Sequence, residues 1–230
     1  MRKFGVVSAI EVFNDPDAPW VILFHGFGAD AYDLAGLVDL IPVKGPVNWL
    51  FPQGFLSVPI GPGWTGRAWW KIDLEKLQAD MAKGIDRDMG AEIPEGLPAL
   101  RKNLISMIQS LNCPWEKIIL GGFSQGGMVA VDLALHAPVN PLGLMILSSG
   151  LVNKAEWAPL AAQRKGLPFF QSHGVQDPVI AIKNADRMQS LLSNGGAKGS
   201  VMRFQGGHEI PEIVLMKASE YINSRIMSLE

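Results

Sequence analysis

Ser124 stands at the centre of Gly122-Phe123-Ser124-Gln125-Gly126, a G-x-S-x-G pentapeptide inside the longer run ILGGFSQGGMV. Chance alone can produce such a match in a chain with 25 glycines, and a lone hit is weak evidence, so the flanking sequence has to supply the argument. A strand-like run, KIILGG, precedes the serine, and a helical run, GMVAVDLALHA, follows it. That is the strand–turn–helix setting of a nucleophile elbow. The turn there is so sharp that the positions two before and two after the serine must be small. Both are glycine, and Gly121 and Gly127 widen the clearance. On such a turn the hydroxyl stands above the sheet and the Gln125 backbone N–H points toward any oxyanion. The helix N-terminus adds positive potential at the same place. The competing reading is a glycine-rich β–α turn that merely packs closely.

A serine hydroxyl is barely ionised at neutral pH and needs a base. The chain has 4 histidines. His136 ends the helix after Ser124, where it suits the C-terminal dipole and the last carbonyls. His25 and His173 each end a strand and precede a glycine, in HGFG and HGVQDP. His208 follows SVMRFQ through Gly206-Gly207 and lies both late in the chain and on the edge that carries the serine, so it is the best base. The base needs a carboxylate to hold its tautomer and favour its charged form. Asp177, just past the strand FFQSH, is the best orienter, against a structural reading of Asp-Pro as a turn cap. Glu209 is adjacent to His208 and poorly placed to orient its ring, and Asp132 and Asp186 fall inside predicted helices. The chain order Ser124, Asp177, His208, each at the carboxyl end of a separate predicted strand, is that of the α/β-hydrolase triad. In FHGFGAD, the Phe27 backbone N–H is the natural second oxyanion donor beside that of Gln125. His25 then buttresses that loop through a ring nitrogen, or else borders the substrate.

Positioning these residues requires a sheet with one active edge. Short apolar runs alternate with segments of helical spacing. Strands are expected at Phe4–Phe13, Trp20–His25, Asn48–Phe51, Lys117–Gly121, Gly143–Leu147, Phe169–His173 and Ser200–Phe204. Helices are expected at Ala31–Leu40, Asp73–Lys83, Leu97–Leu111, Met128–His136, Ile182–Ser193 and Ile210–Arg225. In the last helix, Ile213, Met216, Ala218 and Tyr221 form the expected core-facing stripe. Runs such as WVILF and LGLMIL are apolar at successive positions, as in strands covered on both faces. The alternation predicts a mostly parallel central sheet with helices on both faces, in one domain over residues 1–230. The exception is Pro52–Asp73, rich in Gly, Pro and aromatics and too long for a plain connection. It reads either as a packed surface loop or as the wall or lid of a pocket. As pocket residues we take His25, Phe55, Trp64, Trp69 and Trp70, with Met128 and Ile210 near the floor.

These stretches resemble a known family. FHGFGAD, GFSQGGMVAVDLAL, SHGVQDPVI and GGHEIP are similar, in order and spacing, to the phospholipase/carboxylesterase family, which includes the acyl-protein thioesterases. RAWWKID resembles the Trp-containing stretch of the same family, and the resemblance runs from about Trp20 to Tyr221. It implies an α/β-hydrolase fold without a large cap domain and hydrolysis of esters or thioesters with no cofactor. It assigns Ser124 as nucleophile, Asp177 as acid, His208 as base, and Phe27 with Gln125 as oxyanion donors. Members of that family are often dimers, which makes a homodimer part of the implication. The chain departs from the family pattern mainly in Pro52–Asp73, the stretch that bears on acyl-pocket shape.

Composition narrows the partners. A formal charge of −2 and no long run of one sign leave no basic field for nucleic acid or an anionic membrane. With 1 cysteine, Cys113, the chain has no internal disulfide and no cysteine-based metal site. That suits a reducing, cytoplasmic setting. The opening MRKFGVVSAIEVF faintly mimics a signal peptide, but Glu11 interrupts it and it reads better as a strand. No apolar run approaches the ~20 residues of a membrane span. The absence of a basic cluster favours neutral esters of short to medium acyl chains over phospholipids. Two rivals stay open: a peptidase or dienelactone-type hydrolase on the same fold, and a non-catalytic binding protein on a hydrolase scaffold.

Overall fold

The computed structural model describes residues 1–83 and 88–229, without the side chains of residues 80 and 81. Along the chain the strands are β1 (Arg2–Phe4), β2 (Val7–Val12), β3 (Trp20–Phe24), β4 (Asn48–Pro52), β5 (Leu56–Gly61), β6 (Trp64–Ala68), β7 (Ile118–Phe123), β8 (Gly143–Leu147), β9 (Pro168–Gly174) and β10 (Lys198–Phe204). The helices are α1 (Ala31–Ala35), α2 (Leu37–Leu40), α3 (Leu74–Ala82), α4 (Leu97–Gln109), α5 (Gln125–His136), α6 (Lys154–Ala161), α7 (Ile182–Asn194) and α8 (Glu212–Ile226). An eight-stranded sheet has the order β1-β2-β4-β3-β7-β8-β9-β10. It is parallel from β4 through β10 and antiparallel only at the β1–β2–β4 edge.

The apolar runs are buried on both sides because alternate residues serve opposite layers. In β3, Ile22 and Phe24 join the core beneath α4, α5, α6 and α7, while Val21 and Leu23 join the core beneath α1, α2 and α8. Each such side chain contributes roughly 1.5–3 kcal/mol of burial. From β3 the chain goes to β4 on one side and later to β7 on the other. The carboxyl ends of β3 and β7 therefore flank the point where strand order reverses, where open parallel sheets form their ligand crevice.

The structure departs from the expected elements in five places. The expected strand 4–13 is broken at a hairpin over residues 2–12, because Gly5 turns the chain at φ +60 between β1 and β2. The expected helix 31–40 is two short helices joined at Gly36. Helix α6, with Pro159 inside it, carries no clear periodicity and was not anticipated. In α8, Val214, Ala218, Ser219 and Ile222 face the core, while Ile213 and Met216 are exposed. The buried stripe starts one residue later than the expected one, on the face that contacts β8 and β9. Within 52–73, expected as a packed surface loop or as the wall or lid of a pocket, the chain forms the antiparallel β5–β6 ribbon. No large cap domain is present among the described residues.

Candidate active site

Ser124 occupies the one-residue corner between β7 and α5, at φ 53 and ψ −118. A non-glycine residue in that region is strained by about 1–3 kcal/mol, so its surroundings must hold it. The Ser124 N–H donates to the Leu147 carbonyl at 2.9 Å, and Ser149 Oγ donates to the Ser124 carbonyl at 2.7 Å. The glycines are steric requirements. A Cβ at Gly122 would lie 2.3 Å from the Gly126 carbonyl carbon, and one at Gly126 would lie 1.9 Å from the Phe24 oxygen. Helix α5 starts at Gln125, directly after the serine, so its first N–H groups face the crevice.

The loop after β9 delivers Asp177 and the loop after β10 delivers His208. His208 Nδ1 lies 2.7 Å from Asp177 Oδ2. In the neutral ring that bond keeps the proton on Nδ1 and leaves Nε2 as an acceptor. Asp177 Oδ1 accepts from the Val179 and Ile180 N–H groups at 2.8 and 2.9 Å. His173, wholly buried at the end of β9, places Nε2 3.3 Å from Asp177 Oδ2 and 2.7 Å from the Ile180 carbonyl. Burial pushes the Asp177 carboxyl up, but hydrogen bonds from His173 and His208, the His208 charge and the Ile180 N–H together hold it well below the usual carboxylate range. The His208 ring packs on Phe123, with centroids 4.8 Å apart.

The loop after β3 brings Phe27 to the same crevice. Among the described residues neither the Phe27 nor the Gln125 backbone N–H has a hydrogen-bond partner, and both residues line the cavity that holds Ser124 and His208. Backbone bonds to β6 shape this loop: Gly28 N–H to the Arg67 carbonyl and Arg67 N–H to the Ala29 carbonyl, both 2.8 Å. Gly66 in β6 is also required, because a Cβ there would meet the Gly28 oxygen at 1.8 Å.

The cavity encloses about 490 Å³. Trp70 and Met128 are among its lining residues. Its remaining apolar wall comes from Ile72, Leu74, Leu77, Met89, Ile93 and Pro94 on one side and Val152, Val179 and Ile180 on the other. Val152, Val179 and Ile180 follow the carboxyl ends of β8 and β9, so the strand-end rule that located Ser124 was the signal for them. Its rim carries Lys71 against Asp73, Glu92 and Glu95.

The other expected pocket residues lie elsewhere. His25 is wholly buried behind the loop, with Nε2 accepting from the Gly54 N–H at 2.9 Å and Nδ1 2.7 Å from the Gly26 carbonyl. Both ring nitrogens are used in the neutral form, and burial lowers its pKa. Trp69 is buried against His25, and with Phe55 it borders a separate cleft. Trp64 sits at the ribbon tip, 72% exposed. Ile210 packs on Leu147, Phe204 and Val214. Cys113 is half-buried against the core, where burial pushes its thiol up, away from this edge. Among the described residues, no group of three or more His, Cys, Asp and Glu is arranged to hold a metal, and no helix is long and apolar enough to cross a membrane.

This parallel sheet, with a serine on a strained corner at the switch point, is the α/β-hydrolase fold. The phospholipase/carboxylesterase family model matches residues 6–226, and the chain belongs to that family. It is 29% identical over 188 residues to acyl-protein thioesterase 1 of Mycosarcoma maydis, covering 76% of this chain and 77% of that protein. It is 26% identical over 215 residues to acyl-protein thioesterase 1 of Neurospora crassa, covering 90% and 86%. Among solved structures, esterase PE8 superposes with a TM-score of 0.74 at 23% identity, covering 95% of this chain and 98% of that one.

Proposed function

We propose that this hydrolase is a serine carboxylesterase acting on neutral short- to medium-chain esters, with Ser124, His208 and Asp177 as its triad. The observation that carries the reading is the convergence on one cavity of a strained serine, a carboxylate-paired histidine and two unpartnered backbone N–H groups. His208 Nε2 takes the hydroxyl proton as Ser124 Oγ bonds to the acyl carbon, and the Phe27 and Gln125 N–H groups receive the oxyanion. The tetrahedral species collapses by breaking the bond to the leaving oxygen, which takes the proton from His208. Water then repeats the sequence on the acyl-enzyme, releasing the acid and restoring Ser124. Asp177 stays ionised throughout and stabilises the imidazolium, which suits a carboxyl held far below its ordinary range.

The rim of three acids against Lys71 disfavours anionic phosphate head groups, and the apolar walls favour an acyl chain. A thioester substrate is the second reading, supported by the two thioesterase relatives. Ser124→Ala is expected to lower kcat by about 10⁶ and to abolish fluorophosphonate labelling, with the fold unchanged by circular dichroism. Retention of wild-type turnover would sink the proposal. A series of p-nitrophenyl esters of rising chain length, run beside an acyl thioester, decides between the two substrate classes.

A further inference from the structure

Gln125 contributes more than a backbone N–H. Its side chain is almost wholly buried, yet both ends are satisfied by one short piece of chain. Oε1 accepts from the Trp69 N–H at 3.0 Å, and Nε2 donates to the Trp70 carbonyl at 2.9 Å. The segment it grips also holds the other side of the crevice. The Trp69 indole Nε1–H donates to the His25 carbonyl at 2.8 Å, and Arg67, two residues earlier, carries both backbone bonds to Gly28 and Ala29. Gly54, at the start of the same ribbon, donates to His25 Nε2. A circuit of hydrogen bonds thus runs from the first turn of α5 to Trp69 and on to His25, and through Arg67 to Gly28 and Ala29, so that it holds the loop on both sides of Phe27.

We infer that the Gln125 carboxamide is a positioning group: by gripping Trp69 and Trp70 it sets the spacing between the Gln125 and Phe27 N–H groups. The inference rests on the proposed reading that these two N–H groups receive the oxyanion. Donors aimed at developing charge lose their advantage when displaced, and an error of about 1 Å can cost on the order of 10²-fold in rate. The side-chain chemistry is specific. One position must accept from an N–H and the other must donate to a carbonyl, which a carboxamide does and a carboxylate cannot. A protonated carboxyl group restores the pattern, with its C=O toward Trp69 and its O–H toward Trp70.

Gln125→Met keeps the size of the side chain and removes both bonds. Its kcat on p-nitrophenyl butyrate is expected to fall roughly tenfold to a hundredfold with KM nearly constant. Affinity for an alkyl boronic acid, which mimics the tetrahedral species, should fall in parallel. A wild-type kcat and boronate affinity would overturn the inference. Gln125→Glu gives a signature that a merely structural role does not produce. The ratio of its kcat to that of the wild type, with product measured by chromatography, should fall as the pH rises and the carboxyl ionises. Taking the ratio cancels the titration of the shared triad, and a ratio that is low and constant from about pH 5 to about pH 9 counts against the inference. Should the Gln125 variants not fold, Trp69→Phe deletes only the indole N–H of the circuit. It should lower kcat with KM unchanged, and wild-type turnover would overturn the inference. If Ser124→Ala remains active, the underlying reading has failed. If Ser124→Ala is dead while Gln125→Met matches wild type, only the positioning role has failed.

Discussion

At Asp177 a single carboxylate oxygen meets two imidazoles, with His208 Nδ1 at 2.7 Å and His173 Nε2 at 3.3 Å. His173 Nδ1 is buried without a partner among the described residues. An unpaired buried acceptor costs about 1–3 kcal/mol, so an apolar ring would serve packing better. The polar contacts at Nε2 are what the histidine supplies. Its hydrogen bond is among the influences that lower Asp177, and removing it makes the carboxylate a stronger partner for a proton on His208. In His173→Phe the imidazolium is therefore favoured, and the pH at which kcat/KM rises should move upward. A profile superimposable on wild type, measured with the same ester, would show that His173 only fills space. Ser124, Asp177 and His208 were legible as candidates because each follows an apolar run and has a glycine or proline within two residues. His173 was visible as a strand-ending histidine, but its contact with Asp177 depends on the curl of the loop between them.

At the scale of elements, the β5–β6 ribbon changes the meaning of the aromatic stretch. Its inner leg supports the loop after β3 through Arg67 and Trp69, while its tip projects Trp64 outward. Composition alone grouped Trp64, Trp69 and Trp70 as one pocket wall. The structure separates them into an exposed tip, a buried support and a lining residue, because Trp64 opens β6 at the ribbon tip while Trp69 and Trp70 follow its end, where the chain bends beside the crevice. Trp64→Ser should therefore leave kcat and KM for a short ester at wild-type values and change stability by no more than about 0.5 kcal/mol. A large rise in KM would place Trp64 at the substrate after all.

At the scale of the molecule, one buried ionic network ties three helices on the same face of the sheet. Arg101 from α4 binds Asp132 of α5 through two bonds of 2.7 and 2.8 Å, and the Trp157 indole of α6 donates to Asp132 at 3.0 Å. Glu156 extends the network to Arg101 and His136. Replacing Asp132 by Ala leaves the largely buried guanidinium with Glu156 as its remaining acid and the indole N–H without its acceptor, and should cost about 1–3 kcal/mol of stability in urea titration. Activity per folded molecule should persist, since none of these residues lines the cavity. A stability loss below about 1 kcal/mol, within the range of an exposed pair, would contradict this picture.

The sequence by itself determined the layered α/β architecture, the parallel core and the strand ends that carry Ser124, Asp177 and His208. These depend on local pattern: apolar runs buried on both faces, helical periodicity, and glycines where a Cβ has no room. It also determined the family, through motifs whose order matches the fold. Only the tertiary structure decided which side chains meet. That Ile72, Met89, Ile93 and Val179 share a cavity with Ser124, while Trp69 and His25 stand behind it, follows from how distant segments cross. Such crossings are set by the packing of whole elements, and no short window of sequence contains them. For the same reason Gln125 reads in sequence as a backbone donor, and only the fold shows its side chain bonded to Trp69 and Trp70.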